Sequence, residues 1–212
     1  MVSIEDIKTK HKRAILESQK LYADRKAKDT AGAVRYTKGK IVEEITRDVI
    51  KIAWAGVSSD ESRLRTDRKK VVIKTNSEIY KLSQDIHIYI DNTFRISVEC
   101  KSYTEVATYK RVLVDAMLLR KAVPTINAFF IVQLENFLGG DYGMNIKAKG
   151  SESVITLNRL FPYIDVITLL DGDRDISRPL HRPEYFKNLT DGRLTYAVEK
   201  FREAMSKNQS NA

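Results

Sequence analysis

Residues 85–101 of the chain read DIHIYIDNTFRISVECK, and their pattern predicts the β-hairpin around which the rest of the fold is built. Isoleucine stands at every second position from 86 to 90. Small or branched apolar residues stand at every second position from 96 to 100, after a polar Asp-Asn-Thr corner. A period of two on both sides of a turn is typical of two paired antiparallel strands.

The register of this hairpin follows from the side chains that it must bury. We expect a three-residue loop over residues 91–93, which places all the apolar side chains on one face. It pairs Ile90 with Phe94, Ile88 with Ile96 and Ile86 with Val98. A two-residue loop would set Ile86 against Ser97, and a slip of one residue turns a strand over.

The same register brings three ionisable residues together on the polar face. Asp85 lies directly across from Glu99, with Lys101 two residues further along. Facing positions put Cβ atoms roughly 4.5–5.5 Å apart, and two carboxylates at that distance repel unless a cation lies between them. Mg²⁺ suits such oxygens, because it needs only one or two carboxylates plus a substrate phosphate. The hairpin therefore predicts a phosphodiester-cleaving metal site; the alternative is an ordinary surface carboxylate pair with a solvated lysine.

The order of these residues resembles the PD-(D/E)xK nuclease superfamily, which includes type II restriction endonucleases and archaeal-type Holliday junction resolvases. Asp85 is followed by Glu99-Cys100-Lys101 at the end of the second strand; Gln84 replaces the usual proline, which contributes no ligand. The resemblance implies that Asp85 and Glu99 hold Mg²⁺, with a backbone carbonyl of Val98 or Cys100, and that Lys101 acts in catalysis.

A helix predicted over about residues 37–55 carries a further candidate carboxylate. In the family, a first helix of this kind has a Gly-x-x-x-Glu pattern whose Glu points toward the metal site. Gly39 and Glu43 fit that spacing, so the resemblance implies a metal-binding and catalytic role for Glu43. Glu44 or Asp48 could serve instead, and a plain surface glutamate is the other interpretation.

Hydrophobic periodicity predicts the remaining elements of the core. We expect a short strand over 71–74, a helix over 104–122, a buried strand over 127–134, a helix over 151–161 and a buried strand over 164–170. Residues 58–70 and 75–84 are expected as loops.

This order matches the αβββαβ order of the nuclease fold over residues 37–170. The resemblance implies an α/β protein with a restriction-endonuclease-like core, in which helices flank a central mixed β-sheet. We expect a single nuclease domain over 1–212, with an N-terminal helical extension (1–36), a catalytic core (37–170), and a recognition loop and C-terminal helix (171–212).

Two flanking helices leave alternatives open. The first, from about residue 4 to 28 with a break at 29–32, is basic and either packs on the domain or contacts DNA or a second subunit. The second, over about 191–205, either packs on the core or pairs with a second subunit.

Composition bounds the class of protein. The chain has 212 residues, a net charge of +9 and a pI near 9.5, which favours a polyanionic partner, nucleic acid before an anionic membrane. It has no apolar run of membrane-spanning length. Its one cysteine, Cys100, excludes disulfide and zinc frameworks and is expected to be buried, so a reduced cytoplasm is the predicted location.

Basic residues at three places are candidate DNA contacts, and ordinary solvated or mutually paired charges are the alternative. The candidates are Arg63, Arg65, Arg68, Lys69 and Lys70 before the hairpin, Lys110 on the following helix, and Arg174, Arg178, His181 and Arg182 in the 171–183 loop.

These features predict Mg²⁺-dependent hydrolysis of double-stranded DNA. Because about 36 residues precede the core and about 40 follow it, we favour a homodimeric type II restriction endonuclease that cuts a palindromic site. The alternatives are a nuclease selective for junctions or repair intermediates and a non-catalytic basic DNA-binding module. A membrane binder is disfavoured, since no Trp/Phe-rich amphipathic face accompanies the basic residues.

Overall fold

A computed structural model describes residues 2–24, 27–68, 70–74, 79–137, 152–175, 177–178 and 182–207, without the side chains of 21, 22, 24 and 27–38. The helices are α1 (Ile4–Asp24), α2 (Ala27–Ala55), α3 (Val106–Ala122), α4 (Glu152–Leu160) and α5 (Asp191–Ser206). The strands are β1 (Leu64–Asp67), β2 (Lys70–Lys74), β3 (Ile79–Ser83), β4 (Ile86–Ile90), β5 (Thr93–Lys101), β6 (Ala128–Gln133) and β7 (Asp165–Thr168). None of the helices in these ranges has the length and apolar character needed to cross a bilayer.

The central sheet has five strands in the order β1-β4-β5-β6-β7. The strands β1, β4 and β5 pair antiparallel, whereas β5, β6 and β7 pair parallel. Helices cover both faces, which confirms the prediction of an α/β protein with a mixed sheet flanked by helices. The parallel strand β6 is buried along almost its whole length, as its continuous apolar sequence requires.

The hairpin β4–β5 has the predicted pairing near the site but not at its turn. Ile86 faces Val98 and Ile88 faces Ile96, as expected, but Ile90 faces Thr93 rather than Phe94. The turn is a two-residue one, with positive φ angles at Asp91 (50°) and Asn92 (60°), the conformation that suits the twist of a hairpin.

The expected three-residue loop was wrong because a β-bulge supplies the missing residue. The register shifts beyond Ile88, so that Arg95 on β5 has no partner on β4. A bulge sets two residues of one strand against one of the other. It restores the register that a two-residue turn alone would have broken, and the apolar side chains still share one face.

Each face of the sheet has its own hydrophobic core. One contains the three isoleucines of β4 with Ile96, Val98 and Cys100, and packs against α1, α2 and α5. The other contains Phe129, Ile131 and Val166, and packs against α3 and α4. The buried residues of α3 recur at helical spacing, and the helix ends just before Pro124.

The predictions of loops over 58–70 and 75–84 were wrong, since the first stretch contains β1 and the second contains β3. The strand that precedes the hairpin in the central sheet is β1, in a stretch expected to be loop. The predicted strand at 71–74 exists as part of β2, but it pairs with β3 in a separate two-stranded sheet. The sequence concealed β1 because it is an edge strand whose four residues are all half-buried, so they show no apolar alternation.

The predicted helix break at 29–32 was also wrong, since α2 runs without interruption from Ala27. Alanine-rich sequence favours helix, and one interior glycine costs only about 1 kcal/mol. The helices α1 and α5 both pack on the core: Ile7 and Ile15 are buried, and the Phe201 ring lies 4.7 Å from that of Phe130. The division of the chain at residues 36 and 170 stays a prediction.

Candidate active site

Three ionisable side chains converge where β4 begins and β5 ends. Because Ile86 pairs with Val98, the preceding Asp85 comes opposite Glu99. The Lys101 Nζ atom lies 2.5 Å from Glu99 Oε1 and 3.5 Å from Asp85 Oδ2. One ammonium group thus contacts both carboxylates, as the alternation of β5 predicts, since residues 99 and 101 share a face.

Backbone and side-chain contacts fix Asp85 in place. Its Oδ2 atom accepts a hydrogen bond of 2.8 Å from the backbone N–H of Cys100. Its Oδ1 atom lies 3.7 Å from the Arg68 guanidinium, and the side chain is 18% exposed. The carboxylate therefore bridges two strands and still faces an opening to solvent.

The Glu99 carboxyl is more deeply buried and only partly satisfied. Arg111 lies 3.6 Å from Oε1, the oxygen that also contacts Lys101. The other oxygen, Oε2, is buried and has no hydrogen-bond partner among the described residues. Burial raises the pKa of Glu99 above its ordinary value, with a smaller contribution from the charge of Asp85; Lys101 acts in the opposite direction.

Glu43 is linked to this region by an arginine that the sequence analysis overlooked. Arg47 donates to Glu43 at 2.9 Å, to Thr66 at 3.1 Å and to the backbone carbonyl of Asp85 at 3.4 Å. The available signal was the Glu-x-x-x-Arg spacing, which places the two side chains on one helix face. Of the other candidates, Asp48 pairs with Lys10 of α1 instead.

Cys100 lies between these groups as a buried thiol, which confirms the expectation of a small hydrophobic residue. Its side chain is 5% exposed, and its sulfur lies 3.7 Å from the Thr46 hydroxyl. Burial, helped by the nearby charge of Asp85, raises the pKa of the thiol far above its ordinary value. A thiol that stays protonated is a poor nucleophile and a poor metal ligand.

The donor set at Asp85 and Glu99 fits a hard divalent cation. Carboxylate oxygens are the ligands that Mg²⁺ prefers, and the buried Glu99 Oε2 lacks the partner that such an atom requires. Within the described ranges no cluster of three or more His, Cys, Asp or Glu residues is placed to hold a metal. Two carboxylates satisfy the requirement of Mg²⁺, because water and substrate oxygens complete its shell.

Comparison with characterised proteins gives this geometry a context. The chain is 36% identical over 200 residues to the type II restriction enzyme DdeI of Desulfomicrobium norvegicum, an alignment that spans 82% of this chain and 83% of that enzyme. The chain belongs to the type II restriction enzymes. No model of a known protein family matches this restriction enzyme.

Among the predicted DNA contacts of this restriction enzyme that the structure describes, only Arg68 contacts the candidate site. Arg63 forms two hydrogen bonds of 2.7 Å with Asp91, and Arg65 pairs with Asp67. Lys110 is exposed on α3. Arg174 stacks on Tyr103 at 3.9 Å, and Arg178 lies 3.7 Å from Asp175. Arg182 is exposed. Lys69 and His181 fall outside the described residues. Direct contact with DNA stays a prediction for each of them.

Proposed function

We propose that this restriction endonuclease hydrolyses phosphodiester bonds of double-stranded DNA, that it requires Mg²⁺, and that it cuts at a specific palindromic sequence as a homodimer. The observation that carries the proposal is the contact of one ammonium, that of Lys101, with two carboxylates at the end of a hairpin. The relationship to a restriction enzyme supports the same chemistry.

Asp85 and Glu99 would hold the ion, and each is positioned for that role. The Cys100 N–H fixes one oxygen of Asp85, and Glu99 offers a buried oxygen with no other described partner. The Cys100 carbonyl is the proposed backbone ligand, and Glu43 is the proposed helix carboxylate, held by Arg47. When bound, Mg²⁺ lowers the pKa of a water molecule and stabilises negative charge on a phosphate.

Lys101 is the proposed catalytic ammonium. Its contacts with both carboxylates restrict its position, so the positive charge is already in place before substrate binds. It orients the attacking water and offsets negative charge on the phosphoryl group in the transition state. As the water oxygen bonds to phosphorus, the bond from phosphorus to the leaving sugar oxygen breaks.

The fold and site together favour a PD-(D/E)xK nuclease with a restriction-endonuclease-like core. Antiparallel strands carry the acids, and the parallel strand β6 follows on the other side of β5. A homodimer matches the two-fold symmetry of a palindromic site. We propose that residues 37–170 form the catalytic core and that residues 171–183 contribute to recognition.

Digestion of a plasmid of known sequence tests this function. With Mg²⁺ we expect discrete fragments, whereas EDTA abolishes cleavage. Lys101→Ala and Asp85→Ala abolish cleavage but retain DNA binding; Lys51→Ala, at an exposed lysine of α2, is the matched control and cuts normally. Normal cleavage by either site variant overturns the assignment of the site. A smear of fragments contradicts sequence specificity, and a monomer bound to its site in sedimentation contradicts the homodimer.

A further inference from the structure

The small two-stranded sheet formed by β2 and β3 lies outside the central sheet and takes no part in the proposed chemistry. Its two strands pair antiparallel, with Val72 opposite Lys81 and Val71 opposite Leu82. It is inserted between β1 and β4, which are neighbours in the central sheet. We call this element the β2–β3 ribbon.

The two faces of the β2–β3 ribbon differ sharply. On the inner face Val71, Ile73 and Leu82 pack against the core that contains α3 and α4. The outer face consists of residues 70, 72, 74, 79, 81 and 83, all of which are exposed. The inner face also carries Tyr80, which is 51% exposed, so three residues of this face anchor the ribbon while the outer face is open to solvent along its whole length.

The outer face is positively charged and partly apolar. It carries Lys70, Lys74 and Lys81, and none of the described residues of β2 or β3 is acidic. These lysines form no ion pair with any described residue. Val72 is 44% exposed and Ile79 is 64% exposed, so apolar surface lies among the three charges. A partner that carries both negative charge and apolar surface complements this face.

One end of the ribbon, where β2 begins and β3 ends, lies at the candidate active site. Arg68, two residues before β2, contacts Asp85, and β3 ends at Ser83, two residues before the same aspartate. A duplex whose scissile phosphate lay against Asp85 and Glu99 would continue beside the ribbon. This position favours DNA over a membrane as the partner of the outer face.

The dimensions of the ribbon match a DNA groove. At a rise of about 3.3 Å per residue, Lys70 and Lys74 are about 13 Å apart along β2. The major groove is about 12 Å wide and admits a two-stranded β-ribbon. Lysines at the two ends of one face can thus reach phosphates on both strands, while Val72 lies between them.

We propose that the outer face of the β2–β3 ribbon enters the major groove next to the scissile phosphate, with Lys70, Lys74 and Lys81 bound to the DNA backbone. This inference rests on the proposed function, because it assumes that duplex DNA occupies the site. It adds Lys74 and Lys81 to the basic residues that the sequence analysis selected.

Binding to a short duplex, measured at several salt concentrations in EDTA, tests the ribbon without cleavage. Each phosphate contact contributes about 0.9 to the slope of log affinity against log salt. The combined variant Lys70→Ala, Lys74→Ala and Lys81→Ala should lower the slope by about 2 to 3 and weaken binding by about 10- to 100-fold at moderate salt. The matched control, Lys12→Ala, Lys51→Ala and Lys207→Ala, changes exposed lysines on α1, α2 and just beyond α5, and should change neither quantity.

Chemical acetylation of the unchanged protein gives a second measurement that does not depend on a variant folding. Bound duplex should protect Lys70, Lys74 and Lys81 from acetylation, and leave Lys12, Lys51 and Lys207 reactive. Equal reactivity with and without DNA, or an unchanged slope in the ribbon variant, overturns the inference. If the unchanged protein neither binds nor cuts DNA, the proposed function itself fails, which is a different result.

Discussion

Asp48 and Glu99 are both carboxylates with side chains only 9% exposed, and each forms an ion pair with a lysine. They differ in what surrounds that pair. Asp48 contributes no buried unpartnered oxygen among the described residues, whereas Glu99 has one, and the lysine of Glu99 also contacts Asp85. A buried ion pair is thus no sign of a site by itself. A second acid and an unsatisfied oxygen are what distinguish the candidate active site from the α1–α2 contact.

The largest expected difference between the two regions is in activity. Glu99→Gln should lower the rate of DNA cleavage by about 100- to 1,000-fold or more, the range for loss of one preorganised electrostatic group. Asp48→Asn, the same change in the other region, should leave the rate within about 2-fold, since Asp48 does not contact the site. Single-turnover cleavage of a plasmid measures both, and equal loss in the two variants would remove the distinction.

His11 also has a buried atom without a hydrogen-bond partner among the described residues, and this atom affects stability rather than activity. Its Nε2 atom has no partner among the described residues, its ring stacks on Phe186, and burial lowers its pKa to about 4. Unfolded histidine binds a proton below about pH 6.5, so stability from this residue is lost as the pH falls from 6.5 to about 4.

The expected loss between pH 7.5 and pH 4.5 is about 2–3 kcal/mol of unfolding free energy. Urea denaturation at both pH values measures it. The variant His11→Phe keeps a ring against Phe186. Between these two pH values it should lose about 2–3 kcal/mol less unfolding free energy than the unchanged protein, and its rate of DNA cleavage should be unchanged. An identical pH dependence in the two proteins contradicts the effect assigned to His11.

Of Asp48 and Glu99, only Glu99 should contribute to stabilisation of the protein by Mg²⁺. A ligand at ten times its dissociation constant adds about 1.4 kcal/mol, or roughly 3–5 °C in Tm for a protein of this size. Thermal melting without DNA should show this shift in the unchanged protein and in Asp48→Asn, but not in Glu99→Gln. A shift that persists in Glu99→Gln places the cation elsewhere.

The smallest expected effect is a loss of stability at the ion pair between Lys10 and Asp48. Lys10→Ala removes the ammonium from Asp48, and the loss is modest because the Lys10 side chain is 40% exposed. Solvent screening reduces it to about 1 kcal/mol. Chemical denaturation compares this variant with Lys12→Ala, at the next lysine of α1, which should lose almost nothing. A loss of several kcal/mol would mean that the pair is as important to the fold as a fully buried one.

Local periodicity was sufficient to predict the β4–β5 hairpin and the helices and strands that follow it. The pairing of Ile86 with Val98 followed from burial of one face, and it places Asp85 opposite Glu99. The turn at Asp91 and Asn92 was missed because a bulge depends on two strands together, and no pattern within one strand reveals it. The edge strand β1 was missed for a similar reason, since its pairing with β4 rather than apolar alternation holds it in place.

The wider surroundings of the site could not be read from local sequence. Arg47 contacts Thr66 and Asp85, residues that come close only after β1 joins the sheet. The β2–β3 ribbon was half predicted, because the apolar alternation of β2 is clear, but its partner strand shows only Leu82 as a buried residue. Contacts between elements distant in sequence determined each of these features.

Arg95 is the extra residue of the bulge, and it therefore determines which side chains of β5 beyond it face the candidate active site. Deleting it while keeping the two-residue turn would rotate the remainder of β5 by half a period, so that Glu99 and Lys101 would enter the apolar layer under α2 while Val98 and Cys100 left it. Substitutions near this point alter one side chain, but a change in length exchanges the two sides of a strand. Relatives of this enzyme should therefore hardly vary in chain length between the hairpin turn and Lys101.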